Sequence, residues 1–238
     1  MIHDFASVKE TEDIKNLAKG KMKSTPYING GKAEGFSKAR TSKVMYMNER
    51  LVPEAEVMSI KAEQITKLNL YNEQFASENY QIMNYGIGGK ISGHIDSPGI
   101  IYENLQEKSM LFLDFLKHFL IHNSFLDKPN LYDRVSYGGP RLMTFMVYLS
   151  SVEAGGRTVF LQPGVSVKPE QGSALYWFNM GAQNNYDSRV FHFGCPVIYG
   201  NKWIANKWPK NFSNFKHYPC LIHNEHHSVY RKHFESLK

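Results

Sequence analysis

From Tyr80 to Trp208 the chain is written in short runs rich in aromatic and β-branched residues: "YQIMNYG", "RLMTFMVYLS", "RTVFL", "SALYWFN", "SRVFHFG", "PVIYG" and "KWIANKW". Glycine, asparagine and proline punctuate them, and that grammar predicts an all-β core. With 238 residues, 42% of them hydrophobic and 13% aromatic, the chain can bury a substantial core, so one compact domain is expected. Ahead of the strands, "SVKE" at Ser7 to Glu10 has the spacing of a capping box, with Leu17 and Ala18 on a helical face behind it. Val57, Ile60, Ile65 and Leu68 are spaced for one apolar stripe after Pro53, which suits a helix start. Both helices are expected to buttress a sheet. The fold class is therefore mainly β with flanking helices, as a double-stranded β-helix, or jelly roll.

The net charge of +6 comes from lysines and arginines scattered along the chain, with no basic stripe, so no nucleic-acid partner is expected. The most apolar stretch, "MLFLDFLKHFLIHNSFL", carries Asp114, Lys117 and His118 and reads as an amphipathic helix, not a membrane span. The opening "MIHDFASVKE" lacks the regions of a signal peptide, so the compartment is not readable from the N-terminus.

The stretch "GKISGHIDSPG" sets His94 and Asp96 two residues apart. On a strand, residues i and i+2 point to one side, so the pair can offer an imidazole and a carboxylate to one small ion. His192, in the middle of "SRVFHFG", supplies a third donor. Two histidines and a carboxylate on one face of a metal form the facial triad of non-haem Fe(II) oxygenases, with three positions left open. Taken alone, the same residues also suit a turn histidine, an Asx turn before Pro98 and a satisfied core histidine. Ten residues beyond His192 comes Lys202, after Gly200 and Asn201, which read as a hairpin turn returning the chain alongside the histidine strand. In an apolar pocket flanked by Trp203 and Trp208 its ammonium needs an anion, which a dicarboxylate would supply; a surface lysine lying on tryptophan is the alternative.

"NYGIGGKISGHID", "RLMTFMVYLSSVEAGGRTVF", "VKPEQGSALYWFN" and "HFGCPVIYGNKWIANKW" together resemble the catalytic domain of the collagen prolyl 4-hydroxylase alpha subunit. The N-terminal "IHDFASVKETEDIKNLAKGKM" is similar to that family as well, so the resemblance runs from about residue 1 to 220 and leaves 221–238 as a His-rich basic tail. It implies an Fe(II)- and 2-oxoglutarate-dependent dioxygenase that hydroxylates peptidyl proline in a procollagen-like substrate, consumes dioxygen, releases succinate and carbon dioxide, and uses ascorbate to keep its iron reduced. It also implies that His94, Asp96 and His192 bind iron, that Lys202 binds the distal carboxylate of 2-oxoglutarate, and that Tyr85 and Thr144 line the co-substrate pocket. Further implications are a disulfide between Cys195 and Cys220, closing a loop of about 25 residues, an endoplasmic reticulum lumen and a partnership with protein disulfide isomerase.

The chain departs from the family's pattern at Ile91 and Gly93, where a tyrosine and a proline are common, and at "TVFLQ", where the family has "TVFP". The segment between Asp96 and Arg141 is longer than in the family and holds Phe112, Phe115, Leu116 and Phe119, which suit a lid, a docking surface or an extra helix. Two rival functions follow: an oxygenase acting on lysine or a non-collagen proline, and a non-catalytic binder of proline-rich peptides. The tail histidines His217, His223, His226, His227 and His233 beside Cys220 lack zinc-finger spacing and read as a solvated basic tail. Asn211 in "NFS" is a glycosylation sequon.

Overall fold

The computed structural model describes residues 1–24, 26–29, 32–36, 41–71, 76–97, 138–181 and 187–218. The expected amphipathic segment around Phe112 to Phe119, Cys220 and the tail 221–238 lie outside the described residues. In chain order the elements are α1 (Val8–Ala18), β1 (Lys23–Ser24), β2 (Pro26–Asn29), β3 (Lys32–Phe36), β4 (Lys43–Met47), α2 (Pro53–Thr66), β5 (Tyr80–Tyr85), β6 (Ile91–His94), β7 (Met143–Tyr148), β8 (Ala154–Gly155), β9 (Thr158–Phe160), β10 (Val165–Val167), β11 (Ala174–Phe178), β12 (His192–Gly194), β13 (Val197–Tyr199) and β14 (Lys202–Lys207).

Both helix starts follow their signals. Ser7 caps α1 while Glu10 reaches back to the Ser7 N–H, a complete capping box, and Pro53 opens α2. The buried faces differ from the expected ones. In α1, Thr11, Ile14 and Ala18 go inward and Leu17 is exposed. In α2, Val57 and Ile60 are exposed and Ala55, Met58, Ser59 and Ala62 are buried instead, while of the same stripe Ile65 packs on the core and Leu68 is buried in it as expected. Small residues face inward because a helix lying flat on a sheet needs close approach more than bulk. Lys61 on α2 pairs with Glu10 on α1 at 3.0 Å.

Two antiparallel sheets carry the fold. The larger has strand order β1-β4-β5-β14-β7-β11 and the smaller β10-β9-β12-β6, a mainly β architecture as expected. Strict alternation sorts the side chains of the larger sheet. Tyr80 and Ile82 on β5, Met143, Phe145 and Val147 on β7 and Ala205 on β14 join the helices in one core. Phe145 sits there between Phe5 and Tyr176, with ring centroids 5.0 and 6.0 Å away. Met83 and Tyr85, Met146 and Tyr148, and Ile204 form a second core with Phe160 of the smaller sheet. The functional residues occupy this second space, between the sheets.

The expected hairpin at Gly200 and Asn201 does not form. Gly200 does turn the chain, at φ 98°, but β13 pairs with β8, while β14 pairs with β5 and β7. Lys202 thus approaches His192 from the opposite sheet, not from the neighbouring strand. No helix among the described residues is long and apolar enough to cross a membrane. Asn211 is 6% exposed, at the start of a short 3-10 turn over Phe212–Asn214, so in the folded protein the sequon is not presented for glycosylation.

Candidate active site

β12 lies between β9 and β6, and its register places His192 directly opposite His94. The two imidazoles therefore meet, ring centroids 4.4 Å apart. His94 is the last residue of β6 and Asp96 falls in the bend beyond it, so the shared-strand geometry expected of H-x-D stops at the histidine. The bend turns the carboxylate back: Asp96 Oδ1 lies 3.2 Å from His94 Nε2, and Oδ2 lies 3.8 Å from His192 Nε2. One donor atom from each residue lies within 4.8 Å of the others, and no second group of this kind occurs among the described residues.

Each histidine is held in one tautomer by its own backbone. His94 Nδ1 donates to the Ser92 carbonyl at 2.8 Å and His192 Nδ1 to the Val190 carbonyl at 2.9 Å. A carbonyl only accepts, so the hydrogen sits on Nδ1 and the Nε2 lone pair faces inward. Burial, together with the charge of His94, pushes the His192 pKa down despite the Asp96 carboxylate, which favours the neutral, ligating form. Burial alone would raise the Asp96 carboxyl, but His94, His192 and Thr144 hold it well below the usual carboxylate range. Two inward lone pairs and a carboxylate converging on one point repel one another unless a cation lies between them. The donor set fits iron(II), and the site also fits the need for open positions because one side is a cavity of about 200 Å³.

Lys202 lines that cavity at 3% exposure. Its Nζ donates to Thr158 Oγ1 at 3.3 Å, which in turn shares a hydrogen bond of 2.8 Å with the Tyr148 hydroxyl. The rings of Tyr85 and Tyr148 lie 5.8 Å from the ammonium. Among the described residues no carboxylate pairs with it, and burial lowers its pKa to about 8. Asn206 Oδ1 and Trp177 Nε1, on residues that line the same cavity, are also buried without a hydrogen-bond partner among the described residues. An ammonium without its anion, beside two unmatched polar atoms, is a cavity shaped for a polar, anionic occupant.

Tyr85 lines this cavity as the register partner of Lys202 and donates to Met83 Sδ at 3.4 Å. Thr144 does not line it. It is fully buried beneath Asp96, and its hydroxyl donates to Asp96 Oδ2 at 2.7 Å. Lys207, five residues beyond Lys202 and so of opposite parity on β14, pairs with Glu49 on the helix side of the sheet. Arg141 lines the cavity, but its guanidinium is spent on Glu78, at 2.7 Å through two nitrogens, and on the Asp96 backbone carbonyl at 3.0 Å.

Sequence reasoning missed Thr158, Asn179 and Trp177. Each sits in a run that reads as ordinary strand, and only the pairing of β12 with β9 and of β11 with β7 turns them toward the site. Trp177 and Phe160 pack on His192 with ring centroids at 4.8 and 5.3 Å, which keeps water from that side of the imidazole.

The sequence profile described as the 2OG-Fe(II) oxygenase superfamily matches residues 80–210, the span that holds His94, Asp96, His192 and Lys202. The chain is 31% identical to prolyl 4-hydroxylase subunit alpha-3 of Homo sapiens over 220 residues, and 29% identical to subunit alpha-1 of the same species over 222. These matches cover 92% of this chain but only 35% and 36% of those proteins, so the chain spans little more than a third of their length. Among solved structures, the viral collagen prolyl hydroxylase of Paramecium Bursaria Chlorella virus-1 in its 2OG complex superimposes with a TM-score of 0.56 at 20% identity, covering 87% of this chain and 92% of that one. A prolyl hydroxylase from Trichoplax adhaerens, in complex with a hypoxia inducible factor peptide fragment, gives 0.54 at 14% identity, covering 88% and 81%. At those identities the two structures speak for the fold. The profile match, over more than half of the residues, settles the family: this chain belongs to the 2OG-Fe(II) oxygenase superfamily, whose cofactors are iron(II) and 2-oxoglutarate.

Proposed function

We propose that this chain is a dioxygenase that hydroxylates peptidyl proline, in the manner of the collagen prolyl 4-hydroxylases. The observation that carries the reading is the meeting, in one cavity, of a two-histidine, one-aspartate donor group with a buried lysine that has no carboxylate partner among the described residues. The names of the relatives at about 30% identity support proline as the substrate residue. His94 and His192 would hold the iron through Nε2 and Asp96 through its carboxylate, while Lys202 would take the distal carboxylate of 2-oxoglutarate. Bound iron(II), with 2-oxoglutarate and dioxygen, supplies an oxidative decarboxylation in which one oxygen atom enters succinate as carbon dioxide leaves and the other enters a substrate C–H bond. The protein's part is to fix the donors, exclude water with Trp177 and Phe160, and orient the dicarboxylate with Lys202, Thr158 and Tyr85.

The same reading brings ascorbate as reductant, an endoplasmic reticulum lumen, a Cys195–Cys220 disulfide and protein disulfide isomerase as a partner. Cys195 is half-buried on the chain that leaves β12. The test is a panel of proline-rich, lysine-containing and unrelated peptides incubated with iron(II), ascorbate and 2-oxoglutarate, read by succinate release and by mass spectrometry of the peptide. Gain of one oxygen on proline is expected. Gain on another residue would make the chain a related oxygenase, and peptide binding without succinate would make it a non-catalytic binder. The packing at Gly93, where a Cβ would come within 2.5 Å of both Phe191 and Phe193, is where this chain's substrate contacts would differ from the family's.

Co-substrate affinity should depend on pH through Lys202. Its pKa of about 8 in the folded protein means the ammonium is intact below that value and lost above it. Binding of 2-oxoglutarate, measured anaerobically, should therefore be flat below about pH 8 and fall roughly tenfold per unit above it. Stability shifts the other way. Between about 8 and the ordinary 10.5 the unfolded chain holds more protons than the folded one, so this group's contribution to stability rises with pH across that window. A 2-oxoglutarate affinity indifferent to pH through that range would contradict an ammonium anchor.

A further inference from the structure

The Thr144 hydroxyl has all of its hydrogen-bonding capacity committed. A hydroxyl carries one hydrogen and two lone pairs. Asn179 Nδ2 donates to Oγ1 at 3.0 Å and Trp208 Nε1 donates to it at 3.1 Å, which fills both lone pairs. The indole nitrogen is a donor only, so that bond cannot reverse. The hydrogen is left for Asp96 Oδ2 at 2.7 Å, well inside the 3.4 Å separation from Asn179 Oδ1. Thr144 and Asn179 are fully buried and Trp208 is 2% exposed, so water does not compete. Trp208 is itself clamped, with the Arg141 guanidinium 3.6 Å above its ring, and the same guanidinium holds the Asp96 backbone carbonyl.

Asp96 is thus gripped at its backbone by Arg141 and at Oδ2 by Thr144, and its free oxygen Oδ1 stands 3.2 Å from His94 Nε2, closer than Oδ2 stands to His192 Nε2 at 3.8 Å. We propose that Thr144, its hydroxyl locked by Asn179 and Trp208, is a positioning residue that makes Asp96 a one-oxygen ligand. A carboxylate free to rotate could present both oxygens and close a coordination position that the oxoacid and dioxygen require. Tying Oδ2 back keeps that position open. The inference rests on the reading of His94, Asp96 and His192 as the metal site, and goes beyond it by assigning the group that sets the aspartate's coordination mode.

The test uses the metal-free 238-residue chain titrated with Co(II) alone, reading affinity and the visible d–d absorption, with no 2-oxoglutarate present. Thr144→Val keeps the shape and removes the donor. It should weaken Co(II) binding about tenfold or more, the usual cost of losing an outer-shell partner, and change the band position and intensity as the coordination number changes. Thr144→Ser should restore the wild-type spectrum with affinity within about threefold. Trp208→Phe, which removes one lock while Thr144 stays, should shift the spectrum in the same direction as Thr144→Val, and it serves if Thr144→Val does not fold. A wild-type spectrum and affinity in Thr144→Val, beside a control Asp96→Ala that loses the metal, overturns the positioning role and leaves the metal site standing. A Thr144→Ser spectrum as altered as that of Thr144→Val overturns it as well, because packing and not the donor would then be responsible. If wild-type protein binds no stoichiometric Co(II), the metal site falls and this inference falls with it.

Discussion

His94→Ala, Asp96→Ala and His192→Ala are each expected to abolish succinate production and to leave the purified protein without stoichiometric iron. The donor group has three members and no spare: among the described residues no other histidine, cysteine or carboxylate joins it. Loss of one ligand from a three-ligand site removes a direct bond, which costs more than the 10- to 100-fold typical of an outer-shell partner. The three variants should still differ in stability. His94, with 25% of its side chain exposed, leaves a space that water can enter. Asp96 is buried under Thr144, so Asp96→Ala leaves the Thr144 hydroxyl hydrogen only the long 3.4 Å approach to Asn179 Oδ1 and should cost about 1–3 kcal/mol of folding free energy as well as the metal. Asp96→Asn keeps an acceptor for that hydrogen while removing the charge, so it should fold like wild type and still fail to hold iron. Iron content and succinate release measured on the same preparations decide the matter. Near-wild-type turnover by any alanine variant with its iron retained would dismiss the triad.

The strand runs and the capping signals were legible because alternation and local caps are short-range. "YQIMNYG" and "KWIANKW" each carry their two faces in their own letters, and Ser7 with Glu10 closes a box within one turn. Long-range pairing was not. Gly200 and Asn201 have hairpin chemistry, yet β14 is claimed by β5 and β7, whose buried partners across Ile204 and Ala205 outweigh a two-residue turn. The α2 stripe held at its C-terminal end, where Leu68 is buried and Ile65 packs on the core, and failed at Val57 and Ile60 for a related reason: the sheet accepts Ala55 and Ala62 there because they let the helix come close. Within the site, residues whose chemistry is rare in a core, His94, Asp96, His192 and Lys202, announce themselves. Thr144 did not reveal its part, since a threonine on a strand is what a strand ordinarily contains. Its role depends on a carboxylate 48 positions earlier and an indole 64 positions later. Lys207 shows the reverse, a lysine as buried as Lys202 whose parity on β14 sends it to Glu49 on the other face.

Lys202→Ala is expected to raise the apparent KM for 2-oxoglutarate by a hundredfold or more while iron content stays at the wild-type level. The ammonium is 3% exposed, and Thr158 gives it a hydrogen bond but no charge. The distal carboxylate of 2-oxoglutarate would be its counterion, and removing one partner of a buried pair costs about 3 to 5 kcal/mol. At 1.4 kcal/mol per factor of ten, that is a loss of at least two orders of magnitude in affinity. Among the described residues no nearby cation is placed to substitute. Lys207 faces the helix side, and Arg141 cannot leave without breaking its two-nitrogen pairing with Glu78, which would then keep only Lys210, and releasing the Asp96 carbonyl. Lys202→Arg should recover only part of the loss, because a planar guanidinium is longer than the ammonium and must fit between the rings of Tyr85 and Tyr148, both 5.8 Å from Nζ. Thr158→Val removes the one neutral hydrogen bond and should raise KM far less, by about tenfold at most. Co-substrate affinity and metal content must be read together, since the expectation is that the first collapses and the second does not. An unchanged KM in Lys202→Ala would remove the carboxylate anchor from this residue and leave the metal ligands untouched, whereas loss of iron along with 2-oxoglutarate would mean that Lys202 supports the cavity itself and not its occupant.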